Sequence, residues 1–184
     1  LTMGILNTGI IVIGDEILSG RTKDTNSHFI AKKLIESGIQ LEEIRVIQDK
    51  KELIIKSVLE FHKNFTYVFT TGGIGPTHDD ITSESIAEAF NQEYCFHEEA
   101  YKILEEYYTR GKFNEGRKKM AKMPKNVKLI LNPLSAAPGF IINNIYVLPG
   151  VPDIMEKMFS SILHIVKKGS PKKTLTLNTN LFES

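Results

Sequence analysis

Tyr67-Val68-Phe69-Thr70-Thr71-Gly72-Gly73-Ile74-Gly75-Pro76-Thr77-His78-Asp79-Asp80-Ile81-Thr82 passes from a run of β-formers, through three glycines and a proline, into a helical pattern. A strand, a glycine loop and a helix make one βα unit, and at that junction successive backbone N–H groups and the positive helix end form an anion site. Phosphate or pyrophosphate is the expected guest. The spacing fits neither common nucleotide fingerprint: His78 stands where a Rossmann loop needs its third glycine, and no Gly-Lys-Ser/Thr follows as in a P-loop. Asp79 and Asp80 would repel a bare phosphate. At about 6 Å and an effective dielectric near 20 one such pair costs roughly 3 kcal/mol, so a bridging divalent cation is expected, and oxygen ligands suit Mg²⁺ or Mn²⁺. The plainer reading is that Asp80 or Thr82 caps the following helix, worth about 1 kcal/mol. A cap, however, requires neither the glycines nor a second aspartate ahead of it. His78 is read as a solvated loop residue, with a phosphate contact as the alternative.

Upstream, the same alternation of strand and helix repeats, which is the pattern of an α/β fold on a mostly parallel sheet. Gly9 to Ile13 reads as a buried strand, Ser27 to Ser37 as a helix ending at Gly38, and Leu41 to Ile47 as a second strand. Asp49 with Glu52 three residues on is a helix-start signature for the apolar face that runs to about His62. The long polar loop Gly14 to Asn26 would emerge at the same carboxyl edge of the sheet as the glycine loop and Asp49, where such sheets bind ligands. Within it Asp24, Asn26 and Ser27 suit helix capping as well as ligand contact, and Arg21 and Lys23 suit solvent as well as phosphate.

Downstream, Glu98 to Arg110 reads as a charged amphipathic helix and Gly111 to Pro124 as a polar, basic stretch. Val127 to Leu131, Phe140 to Ile142 and Ile145 to Leu148 read as short strands of a small mixed-sheet edge, with a hairpin turn at Asn143-Asn144. Val151 to Val166 is the closing helix, Pro152 being tolerated in its first turn. One domain is expected over residues 1–168, with Leu1-Thr2 ahead of a native Met3. Lys173 to Ser184 reads as a strand that stops, so 169–184 is taken as the start of a truncated C-terminal segment.

Charge and composition remove several classes of function. With 23 basic and 22 acidic residues and a net charge of +1, no field of one sign would draw in nucleic acid or an anionic membrane. No apolar run approaches the roughly 18 residues that span a bilayer, and no signal peptide is recognisable. The single cysteine, Cys95, sits between Tyr94 and Phe96 and reads as a buried hydrophobe, which fits a cytoplasmic protein.

Four motifs in order, Gly14-Asp15-Glu16-Ile17-Leu18, Asp24-Thr25-Asn26-Ser27, Thr71 through Thr82, and Leu148-Pro149-Gly150-Val151-Pro152, resemble the molybdopterin-binding-like domain of CinA proteins. The resemblance covers Gly9 to Phe159. The same fold occurs in MogA, MoaB, MoeA, gephyrin and a domain attached to eukaryotic FAD synthases, which implies a three-layer α/β/α sandwich. It also implies Asp80 and Asp49 as the active carboxylates, with Asp79 beside them and Asp80 and Asp79 as metal ligands. Gly72, Gly73, Gly75, Thr77 and Thr82 are implied ligand contacts from the glycine loop. Asp15, Glu16, Arg21, Asp24 and Asn26 are implied from the first loop, and Pro149 and Gly150 from the last. Asp79 departs from the arginine that the adenylyltransferases carry, and Ser135-Ala136 stands where relatives have Gly-Thr. CinA-type domains are associated with metal-dependent hydrolysis of nucleotide pyrophosphates such as ADP-ribose, and the FAD-synthase relatives with cleavage of FAD. The expectation is therefore a pyrophosphatase using Mg²⁺, Mn²⁺ or Co²⁺, working as a homodimer or trimer. Non-catalytic binding of molybdopterin or a nucleotide, a role in molybdenum cofactor biosynthesis, and a protein scaffold are the alternatives.

Overall fold

The computed structural model describes residues 6–168; the strand expected over Lys173 to Ser184 lies outside them. Strand β1 (Asn7–Ile13) places Ile10 and Val12 in one buried cluster and Ile11 and Ile13 in another. Alternate side chains of a strand enter opposite layers, so a strand covered on both faces needs an unbroken apolar run. Each such side chain, fully buried, stabilises the fold by roughly 1.5–3 kcal/mol. The chain continues through α1 (Asp15–Leu18), α2 (Asn26–Glu36), β2 (Gln40–Ile47), α3 (Lys51–Asn64), β3 (Tyr67–Thr71) and α4 (Thr82–Ala89). Next come β4 (Tyr94–Phe96), α5 (Glu98–Tyr107), α6 (Glu115–Lys119) and β5 (Lys122–Pro124). The elements β6 (Lys128–Ile130), β7 (Gly139–Ile142), β8 (Ile145–Leu148) and α7 (Pro152–Lys168) complete the described residues.

The main sheet has the order β2-β1-β3-β8-β7-β6. Its first four strands run parallel, and β7 and β6 add an antiparallel edge. Ile54, Val58 and Phe61 of α3 and Ile86 of α4 cover one face, while Ile30 and Leu34 of α2 and Met155, Met158 and Phe159 of α7 cover the other. The three-layer α/β/α sandwich with a mixed edge is thus the observed architecture. The β7–β8 turn falls on Asn143-Asn144, and Asn143 takes a φ of 53°. Among the described residues no helix is long and apolar enough to cross a membrane.

Several local expectations are corrected. The stretch Gly111 to Pro124 contains α6 and β5, and β5 pairs antiparallel with β4 in a separate two-stranded sheet. The amphipathic helix ends at Tyr107, three residues short of Arg110, because Tyr108 turns extended (φ −84°, ψ 129°). Cys95 is half-buried on β4. The capping box of α3 does not form: its N-cap is Lys50 with no side-chain bond, and the Asp49 carboxylate is turned elsewhere. Likewise α4 begins after Ile81 with no side-chain cap.

Candidate functional site

Four parallel strands end together at one edge, and backbone bonds lock the loops that leave them. Gly14 N–H donates to the Ile47 carbonyl at 3.1 Å, and Gly72 N–H to the Leu148 carbonyl at 3.1 Å. Gly72 (φ 97°) lies so close to β1 that a Cβ there would overlap the Ile13 carbonyl oxygen, and Gly73 (φ 75°) leaves no room for a Cβ beside Thr82 Oγ1. Thr82, fully buried, donates from Oγ1 to the Gly72 carbonyl at 3.0 Å and from N to the Gly73 carbonyl at 3.0 Å. It therefore pins the loop to the start of α4.

Asp80 turns its carboxylate back into the loop. Its Oδ2 accepts from Thr77 N at 2.9 Å and Thr77 Oγ1 at 2.8 Å, and Asp80 N donates to the Thr77 carbonyl at 3.1 Å. The third glycine has a specific use here, since a Cβ on Gly75 would stand 2.9 Å from Asp80 Oδ2. Asp79 stands at the tip, 79% exposed, with Oδ1 3.2 Å from His78 Nε2. Asp49 reaches across to the first loop: its Oδ2 accepts from Asp15 N at 3.0 Å, while Asp49 N donates to Asp15 Oδ1 at 3.2 Å. The Asp49 carboxylate thus serves the first turn of α1. Burial raises the Asp49 carboxyl above its ordinary value; the Asp15 amide pulls it back, and the charges of Asp15, Glu16 and Asp80 push it up again.

A cleft of about 410 Å³ brings together Asp15, Glu16, Arg21, Asp49, Asp79 and Asp80, with Gly73 and Thr77 on its wall. A smaller cavity of about 30 Å³ beside it is lined by Asp24, Asn26, Gly72 and Gly150, with Lys23 and Thr71. There Asn26 Nδ2 donates to the Gly150 carbonyl at 2.9 Å, which leaves Asn26 Oδ1 and Thr71 Oγ1 buried without protein partners. Asn26 and Thr71 both line this cavity, whose room for about one water-sized group suits a single hydroxyl, amino group or water. Asp24 accepts from Ser27 N at 3.1 Å and from Ser27 Oγ, so capping of α2 accounts for its carboxylate. Pro149 turns the chain from β8 towards α7 and lines neither cavity.

The carboxylate oxygens of the cleft suit a hard divalent cation, and the charge concentrated around Asp49 gives such an ion a role. Among the described residues, however, no three His, Cys, Asp or Glu side chains are grouped to hold an ion by themselves. A cation there would draw protein ligands from one or two aspartates and complete its shell with water, as Mg²⁺ commonly does.

Lys119 braces the loop of the site without lining the cleft, and was legible only as part of a basic run. From α6 its ammonium donates to the Asp80 carbonyl at 2.7 Å and to the Thr77 carbonyl. Gly116, one turn earlier, approaches so closely that a Cβ would sit 2.9 Å from the Pro76 carbonyl oxygen. That glycine was the one sequence signal that α6 meets another backbone.

The family model described as "Probable molybdopterin binding domain" matches residues 9–168. A protein of Archaeoglobus fulgidus is 39% identical over 160 residues, covering 87% of this chain and 69% of its own length. A Clostridium perfringens protein with the provisional name competence-damage inducible protein is 40% identical over 164 residues, covering 85% of this chain. The match spans only 39% of that relative's length. Among solved structures, CinA of Thermoplasma acidophilum, described as having unknown function, matches with a TM-score of 0.83 at 32% identity over 89% of this chain and 99% of that one. MoaB of Thermus thermophilus shares the fold, with a TM-score of 0.58 and 17% identity over 88% of this chain and 91% of that one. The chain therefore belongs to the molybdopterin-binding domain family and, within it, is similar to the CinA proteins.

Proposed function

We propose that the cleft hydrolyses the pyrophosphate bond of a nucleotide such as ADP-ribose or FAD, with the help of a divalent cation. The observation that carries this reading is charge. Asp15, Glu16, Asp49, Asp79 and Asp80 line one cleft with Arg21, beside a glycine loop at a helix start. Such a cleft favours a phosphate that arrives with a cation over a bare phosphate or a bare base.

Mg²⁺, Mn²⁺ or Co²⁺, held by Asp80 with Asp79, would polarise the phosphorus centre and lower the pKa of the attacking water. The chain's own groups supply the rest. Loop amides orient one phosphate, and Arg21 offsets the charge that develops on the leaving phosphate. Asp49, raised by burial, is a better base than an ordinary aspartate and takes the proton of the attacking water. The water oxygen bonds to phosphorus as the bond to the bridging oxygen breaks, leaving AMP and a second monophosphate. The small cavity at Asn26 and Thr71 accepts a hydroxyl or amino group of the substrate.

A second reading is binding of a nucleotide or molybdopterin without turnover, in keeping with a role in molybdenum cofactor biosynthesis. The dispersed carboxylates favour it, since no three metal-ligating side chains are grouped among the described residues. AMP release from ADP-ribose and FAD, screened over Mg²⁺, Mn²⁺ and Co²⁺, separates the two. Metal-dependent release supports hydrolysis; tight binding with no release under any metal supports the second reading.

A further inference from the structure

The turn Thr77–Asp80 is gripped twice. The Asp80 carboxylate takes the Thr77 N–H and hydroxyl, and the Lys119 ammonium takes the Thr77 and Asp80 carbonyls, the latter at 2.7 Å. Lys119 arrives from a different part of the chain, the lobe built on β4, β5 and α5. Gly116 lets α6 come up against Pro76, and β5 packs on α4, the helix that the loop starts. The lysine is half-buried, and among the described residues it pairs with no carboxylate; its partners are the two carbonyls. Its charge is thus fixed beside Asp79-Asp80 without tying up either carboxylate.

We infer that Lys119 is the positioning residue of the glycine loop: its ammonium holds the Thr77–Asp80 turn closed, and its charge offsets the adjacent aspartates so that the loop accepts a pyrophosphate group. The inference rests on reading the cleft as a phosphate site, and deepens it by naming what makes an acidic loop tolerate an anion. A fixed positive charge within several ångströms of a bound anion changes affinity by about tenfold or more at an effective dielectric near 20.

Calorimetric titration of the full chain with Mg²⁺-pyrophosphate tests it, using wild type, Lys119→Met, Lys119→Gln and Lys119→Arg. The Met protein should bind at least about tenfold more weakly, and Arg should restore most of the affinity. If the Met protein does not fold, Gln decides, because it removes the charge and keeps N–H donors one bond nearer the backbone, while Arg, which keeps the charge, checks for the change in reach. Weak binding by the Gln protein, with amide exchange in β1 and β3 unchanged, supports the inference. Wild-type affinity in the Gln protein, or no binding of Mg²⁺-pyrophosphate by wild type, overturns it. AMP release is not the readout, so a protein that binds pyrophosphate in a Lys119-dependent way yet cuts no nucleotide refutes the hydrolase reading and leaves this one intact.

Discussion

Asp49 carries two demands that pull its carboxyl in opposite directions. It accepts the Asp15 amide, which favours the charged form, yet burial and the neighbouring Asp15, Glu16 and Asp80 charges dominate and raise it. A carboxyl whose folded value lies above its unfolded value stabilises the fold fully below the unfolded pKa, about 3.9, and that contribution is lost as pH rises through the raised value. At neutral pH, ionised Asp49 is therefore a liability to the fold. Asp49→Asn keeps an acceptor for the Asp15 amide and removes the charge. Scanning calorimetry should find its Tm above wild type at pH 7, with the difference fading towards pH 3, while AMP release falls by about 100-fold or more. A lower Tm at pH 7 would contradict this account of the residue. Ala136 takes a φ of 71° in the loop organised by Asn132. Ala136→Gly should raise stability by about 1 kcal/mol in urea unfolding, since a Cβ is strained in that region.

Glycine positions separate the elements that hold the site from those that only turn the chain. Gly38 ends α2 at φ 75°, and a Cβ added there would meet nothing within 4 Å, so Gly38→Ala should cost only about 1 kcal/mol. Gly72 combines φ 97° with the overlap on Ile13, where β1 and β3 end side by side, and Gly72→Ala should cost more than about 3 kcal/mol. Urea midpoints of the two variants check the contrast. The strands β1, β3 and β8 were legible because burial on both faces demands apolar runs, and α2, α3 and α7 because each keeps one apolar face. The elements β4, β5 and α6 are three to five residues long, too short to repeat a period. Their order comes from packing that sequence spacing does not display, such as Arg117 over the Tyr108 ring at 4.3 Å and Tyr108 stacked on Phe113. Lys119 was hidden for the same reason: a lysine in a basic run looks solvated until α6 is placed on the loop. Asp49 and Asp80 were picked out by motif, but as much for caps as for chemistry, and only the backbone shows that neither caps the helix that follows it.

At the scale of the molecule, the parallel sheet explains why residues 15, 49 and 80 line one cleft, with residue 150 in the cavity beside it, although they are far apart in sequence. Each follows a parallel strand at the same edge, with Asp15 one residue past Gly14 and Asp80 presented by the loop after β3. The assembly implied by the CinA resemblance is a homodimer or trimer, so light scattering should return a mass above one 20.8 kDa chain; a monomer at working concentration would remove that proposal. The proposed cleavage of a nucleotide pyrophosphate at this carboxylate-lined edge is read from AMP release from ADP-ribose at saturating Mg²⁺, Mn²⁺ or Co²⁺, wild type beside Asp80→Asn, with thermal melts run on both. Asp80→Asn retains an acceptor for Thr77 and should melt close to wild type while its rate falls by about 100-fold or more. No AMP from folded wild-type protein under any of the three metals, or an unchanged rate in Asp80→Asn, would contradict the account.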